Sequence, residues 1–172
     1  MSLATNLRTK LNVSLEWLYR NIDSVSSREV RDSNSISLVD VLENGTVIDT
    51  ADKVWTSRAT VNDAATTSLD LAGGVTDAFG NALTFVKVKA IAIMNRNTTA
   101  GHNLVVGGNA NAFASWLGAA NDKVTVGPGG FLLLWNPSLA GYAVTAATGD
   151  ILDLTGSGGN IVYDIAIVGT SA

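Results

Sequence analysis

The sequence has no cysteine, a single histidine and only two prolines among 172 residues. Without cysteine there is no disulfide, no thiolate nucleophile and no thiolate metal site, so the fold must be held by packing and assembly. His102 is the only imidazole. A Ser-His-Asp arrangement would have to be built on it, and a zinc site would lack both thiolates and a second imidazole. Charge is also scarce: 15% of residues are charged, against about 25% in a typical soluble domain. A surface rich in Ser, Thr, Asn and Gly, or a surface partly buried against partners, can make up such a deficit, and we expect both. The net charge is −4 and the isoelectric point about 4.7, so no positive field gathers nucleic acid or an anionic membrane, and neither is expected as a partner. No apolar run approaches the ~20 residues that a membrane-spanning helix needs. The most apolar stretches, 131–135 and 161–168, are short, and Asp164 interrupts the second. Residues 1–10 hold no apolar run, so no signal peptide is expected and synthesis in a cytosol is the expectation.

What the chain does have is apolar residues, 47% of the total, at a length that suits one domain with a sizeable core. They are not spread evenly with charge. Seven of the eleven basic residues precede Val61, and no Glu follows Glu43. We divide the chain into an N-terminal arm and linker, 1–35, and a Gly-punctuated body rich in Val, Ile, Leu and Thr, 36–172. In the arm, Leu11, Val13, Leu15, Trp17 and Tyr19 alternate with other residues, the period of a half-buried strand. Leu3, Leu7, Leu11, Leu15, Leu18 and Ile22 also fit one helix face, so periodicity leaves strand and helix open. We read an extended arm whose five alternating side chains form an interface, since Trp17 has no local core to join. Residues 23–35, mostly Ser, Arg, Asp and Asn, read as an exposed linker.

From residue 36 onward, turn signals come often. Asn44-Gly45 predicts a hairpin between strands at 36–42 and 46–50. Short strands follow at 54–61 and 68–72, and Gly73-Gly74 allows a reversal. The longest strand is expected at 85–93, with Val86, Val88 and Ala90 on one face and Phe85, Lys87 and Lys89 on the other. Further strands are read at 103–106, 123–126, 131–135, 142–146, 151–155 and 161–168, divided by glycine clusters such as Gly127-Pro128-Gly129-Gly130. Residues 110–120 fit a short helix or a folded loop, because Phe113, Trp116 and Leu117 lie at helical spacing among alanines. Many short strands without intervening helices predict an all-β antiparallel β-sandwich, jelly-roll-like with an N-terminal arm. An immunoglobulin-like sandwich or partly closed barrel is the second topology.

Chemical constellations are thin. His102 sits in a polar turn with no neighbouring acid and reads as a loop histidine. Asp150 with Asp153 and Asp49 with Asp52 are the near carboxylate pairs. Residues three apart in a strand face opposite ways, so exposed strand-end acids are the expectation. Gly127-Pro128-Gly129-Gly130 precedes an apolar strand rather than opening a helix, and reads as a β-turn rather than a phosphate cradle. Among the tryptophans, Trp135 is expected in the core, while Trp55 and Trp116 leave carbohydrate stacking open. No catalytic residue, cofactor or metal is expected, and the chain reads as a non-enzyme.

From residue 69 onward the sequence resembles small proteins encoded among the head and tail genes of tailed bacteriophages. The resemblance is carried by Leu69-Asp70-Leu71-Ala72-Gly73, Asp77-Ala78-Phe79-Gly80, Lys87-Val88-Lys89-Ala90-Ile91, Gly127-Pro128-Gly129-Gly130, Gly141-Tyr142-Ala143-Val144, Thr148-Gly149-Asp150 and Tyr163-Asp164-Ile165, and weakly by Leu7-Arg8-Thr9-Lys10-Leu11. These residues shape a fold rather than an active site. The resemblance implies a virion protein made in the host cytoplasm, first of all a capsid decoration or cement protein that clamps neighbouring capsid subunits. It also implies a homo-oligomer, a trimer before other states, with the major capsid protein or other virion subunits as partners. A tail, baseplate or head-fibre subunit, or a carbohydrate-binding β-sandwich module, is the alternative.

Overall fold

β-Branched and large apolar residues recur at period two between glycine-bearing turns, which favours pleated ladders over helices. The computed structural model describes residues 6–22 and 29–172, and every regular element among them is a strand. In chain order these are β1 (Thr9–Ile22), β2 (Glu29–Asn44), β3 (Thr50–Ala51), β4 (Lys53–Val61), β5 (Thr66–Asp70), β6 (Val75–Thr76) and β7 (Ala82–Leu83). There follow β8 (Lys87–Asn95), β9 (Asn103–Gly107), β10 (Lys123–Val126), β11 (Phe131–Trp135), β12 (Tyr142–Ala143), β13 (Ile151–Ser157) and β14 (Ile161–Thr170). The protein is an all-β antiparallel sandwich, as the strand spacing predicts.

Two four-stranded paths form its layers, β10-β9-β13-β5 and β11-β8-β14-β4, with β12 added alongside β8. Every ladder within them is antiparallel. Counting only the eight strands of the two paths, the first pairs with the last, β4 with β14. The second pairs with the seventh, β5 with β13, the third with the sixth, β8 with β11, and the fourth with the fifth, β9 with β10. The body is thus one long hairpin rolled over into two facing sheets.

The core lies between them. Ile161, Tyr163, Ile165 and Ile167 alternate inward along β14 and meet Leu104, Val106, Leu152 and Leu154 from the other sheet. Phe85 and Phe113, both from loops, complete it. Each such side chain contributes on the order of 1.5–3 kcal/mol when fully buried. Residues 110–120 form a folded loop, not a helix. Phe113 is drawn into the core, its N–H donates to Ile151 O at 2.8 Å, and Trp116 Nε1 donates back to Phe113 O at 3.0 Å.

The chain's N-terminal part departs from the expected layout. Residues 1–5 of the arm and 23–28 of the expected linker lie outside the described residues. Residues 29–35 are strand, so the boundary at 35/36 falls inside β2, which at 16 residues is the longest described strand. Residues 36–42 pair with β1 rather than with 46–50. The physical reason is length: β1 offers an unbroken ladder from Thr9↔Leu42 to Ile22↔Glu29, far more backbone pairing than a short hairpin at Asn44-Gly45. Residues 45–49 instead form a loop tied by Thr50 Oγ1, which accepts from Val47 N at 2.7 Å, and β3 pairs with β2 in parallel.

The expected alternation of 85–93 fails at one point. The ladder between β14 and β8 shifts register at Val168/Gly169, leaving Lys89 as the extra residue of a bulge. Val88 therefore enters the main core, and Lys89 is buried with its ammonium donating to the Ser138 carbonyl. Desolvation holds the Lys89 pKa below its ordinary value; Lys87 adds to this and Asp49 opposes it. Gly169 permits the bulge, because a Cβ there would collide with the Lys87 carbonyl and lie 2.8 Å from Phe85 Cδ1. Gly129, in the turn before β11, takes a φ of 68°, which favours glycine.

Gly169→Ala is expected to destabilise the protein by about 1–3 kcal/mol through overpacking. Gly149→Ala, where the nearest atom to a new Cβ is 3.5 Å away, should stay within about 0.5 kcal/mol of the parent. Chemical denaturation of the two variants side by side checks both values.

Candidate interaction surface

In an antiparallel pair, directly opposite residues point to the same side. The β1–β2 register therefore sorts the arm into two faces. One carries Leu11, Val13, Leu15, Trp17 and Tyr19 from β1, opposite Asp40, Leu38, Ile36, Asn34 and Asp32 from β2, with Val30 further along. The other carries Lys10, Asn12, Ser14, Glu16 and Arg20 opposite Val41, Val39, Ser37, Ser35 and Arg31, together with Leu18 opposite Ser33. The arm is an amphipathic two-stranded ribbon.

Among the described residues its apolar face has no covering layer. Leu15, Tyr19, Val30 and Ile36 are each 63–70% exposed, and Val13, Trp17 and Leu38 are also exposed. The five residues expected to form an interface thus share one face of a strand, and the structure adds Val30, Ile36 and Leu38 to them. Sequence reading missed these three because it placed Val30 in a linker and the other two in the body. Their signal was present, since Ile36, Leu38, Asp40 and Leu42 keep the same period of two.

The ribbon is anchored at its root. Leu42 is fully buried and packs with Ala51, Ala90 and Val168, joined by Leu7 and Trp135. Trp135 Nε1 donates to Asp40 Oδ2 at 2.8 Å, Leu7 N donates to Asn44 Oδ1 at 3.1 Å, and Arg8 Nε pairs with Glu43 Oε1 at 2.9 Å. Trp135 was expected in the core. It stands instead on the outer side of its sheet, because Leu132 and Leu134 take the inward positions of β11. Trp55 and Trp116 are half-buried against the main core, which leaves neither as a free stacking platform.

The root rests on the outer face of the β11-β8-β14-β4 sheet. Further along that face, Ala92 and Ala166 form a low floor between Phe131 on one edge strand and Thr56 and Arg58 on the other. The result is an open depression of about 530 Å³. At its rim, Arg58 grips Asp164 with two hydrogen bonds of 2.5 and 2.9 Å, and Arg96 Nε lies 3.0 Å from the same carboxylate. The hydrogen bond from Arg58 holds the Asp164 pKa below the usual carboxylate range, helped by the charges of Arg58 and Arg96. The same pairing raises Arg58.

The remaining titratable candidates are not brought together. His102 is half-buried, with Nδ1 3.0 Å from the Asn97 amide nitrogen. Asp150 and Asp153 are buried rather than exposed, a correction whose cause is hydrogen bonding, from a nearby turn for Asp150 and from distant strands and loops for Asp153. Asp153 accepts from Ser68 Oγ at 2.6 Å and Asn109 Nδ2 at 2.9 Å, while Asp150 accepts from Ala147 N at 2.6 Å. Asp52 is occupied by Ser171 N at 2.8 Å, whereas Asp49 is exposed. Among the described residues no group of three or more His, Asp or Glu could hold a metal ion. The surface with chemistry to offer a partner is the arm with its adjoining sheet face.

Asp40→Ala removes the acceptor of the Trp135 N–H. We expect the root of the arm to lose about 1.5 kcal/mol, read as roughly tenfold faster amide exchange in the residues around Leu42 with β13 and β14 unchanged. Hydrogen exchange measured residue by residue checks it. No protein-family model, no curated protein and no solved structure matches this chain.

Proposed function

We propose that the chain is a non-enzymatic structural subunit of a phage virion, a capsid decoration or cement protein whose arm clamps neighbouring subunits on the shell. The observation that carries this reading is the arm itself: a ribbon of 14- and 16-residue strands, rooted in the body by Leu42, with an apolar face open to solvent. At about 3.4 Å per residue the 14 residues of β1 extend about 48 Å, a distance comparable to the width of the body they leave. An isolated two-stranded ribbon is marginal in water, so its apolar face gains most from a neighbour that covers it.

The body supports the same reading. Its nested strand pairing supports reading the sandwich as jelly-roll-like, an architecture that occurs in viral capsid domains. The resemblance to head and tail proteins, the acidic balance and the dispersed titratable groups fit a building block better than a catalyst. On a closed shell each contact can be weak, because many linked copies raise one another's effective concentration. The major capsid protein and further copies of this chain are the partners this role requires.

Replacing residues 13–38 by an Asn-Gly turn tests the reading, since Asn12 and Val39 already face each other in the ladder. We expect the shortened protein to melt within a few degrees of the parent. Its co-sedimentation with capsids assembled without it should fall at least tenfold. Undiminished co-sedimentation would overturn the clamp, and loss of folding would show that the arm belongs to the body's own core.

A further inference from the structure

We infer that the apolar face of the arm docks on the outer face of the β11-β8-β14-β4 sheet of a second copy of this chain. The inference deepens the proposed clamp by naming what the arm holds, and it rests on that reading only in using the arm as the attaching element.

The arm cannot satisfy itself. Its ladder is unbroken from Thr9↔Leu42 to Ile22↔Glu29, and within one chain Val13, Leu15, Trp17, Tyr19, Val30, Ile36 and Leu38 remain exposed. Together these seven side chains form one contiguous exposed apolar face, the kind of patch that marks an interaction surface. Nothing among the described residues covers this face, and a second copy supplies the cover.

The chain already contains the contact in miniature. At the root, Leu42 and Leu7 lie on Ala90, Val168 and Trp135 of the outer sheet face. One step further along the same strands come Ala92, Ala166 and Leu133, and then Met94, Asp164 and Phe131. The chemistry repeats, with a floor of small side chains beside large apolar ones, but here no arm covers it: Phe131 is 60% exposed. The floor belongs to the two central strands, β8 and β14, and the rims belong to the edge strands β11 and β4. A two-stranded ribbon with strands about 4.8 Å apart fits over two central strands of the same spacing.

Charge selects the sheet over another arm. The arm's apolar face holds Asp32 and Asp40 and no Lys or Arg, and Asp40 is already engaged by Trp135. Packing arm on arm would bury Asp32 with no cation on either face to meet it, a costly arrangement. The rim of the sheet supplies Arg58 and Arg96 against the single Asp164. The contact is heterologous, the arm of one copy on the sheet of the next, and so it links copies into a ring or a chain around the particle.

With no cysteine in the chain, no disulfide can link copies, so the test rests on mass alone. An arm variant, Leu15→Glu with Ile36→Glu, and a sheet variant, Ala92→Glu, are compared with the parent by light scattering at high micromolar concentration, with thermal melting as the folding control. We expect a multimeric parent, two monomeric variants that melt like it, and a one-to-one dimer when the variants are mixed, because one supplies an intact sheet and the other an intact arm. A sheet variant that stays multimeric would mean that arms pair with arms, and an arm variant that stays multimeric would mean that bodies pair directly. Either result overturns the inference, as does a monomeric parent or a mixture that stays monomeric. Co-sedimentation with capsids separates this from the proposed function: a monomeric parent that still attaches keeps the clamp and removes the second copy.

Discussion

The last strand of the chain, β14, lies between the first strand of the body and the third, and both ladders depend on its alternation. Ile161, Tyr163, Ile165 and Ile167 face the core, while Val162, Asp164, Ala166 and Val168 face outward. The inward set closes the sandwich by meeting Leu104, Val106, Leu152 and Leu154. The outward set makes the floor on which the arm is rooted. One strand thus joins the two ends of the body sequence, fills the core and builds the exterior surface, because its side chains must alternate.

The bulge at Val168/Gly169 shows how much that alternation constrains. Lys89 is pushed out of step, its ammonium is satisfied by the Ser138 carbonyl, and Val88 returns to the core. Just before the bulge, Ala90 and Val168 remain opposite each other on the outer face, where Leu42 and Trp135 close over them. Without the one-residue shift, the inward phase of β8 would not bring both Val88 and Ile91 to the core. The buried lysine and the position of the arm root therefore share one local cause.

The arm is built by the same alternation without a second layer. A sheet face that is apolar every second residue is stable only when covered. The body covers its inner faces by rolling, whereas the described part of the arm is covered at its root, around Leu42, and exposed beyond it. This difference separates the part of the molecule that packs on itself from the part whose apolar face stays exposed among the described residues.

Local pattern was enough to decide the fold class and to place most strands from residue 54 onward, though not the two-residue strands β6 and β7, because period-two alternation and glycine turns are readable within a few residues; in the arm the same pattern left strand and helix open. It could not decide which strands pair. Residues 36–42 were compatible with a hairpin at Asn44-Gly45, and only the competition with β1 over 14 ladder pairs assigned them to the arm together with Ile36 and Leu38. The same limit applies to Trp135 and Asp153, whose burial depends on residues far away in the chain: Asp40 for the tryptophan, Ser68 and Asn109 for Asp153. Alternation is a property of each strand alone, so the sequence displays it; partnership and burial arise when distant strands compete for the same backbone groups and the same apolar surface, and only the tertiary structure resolves that competition.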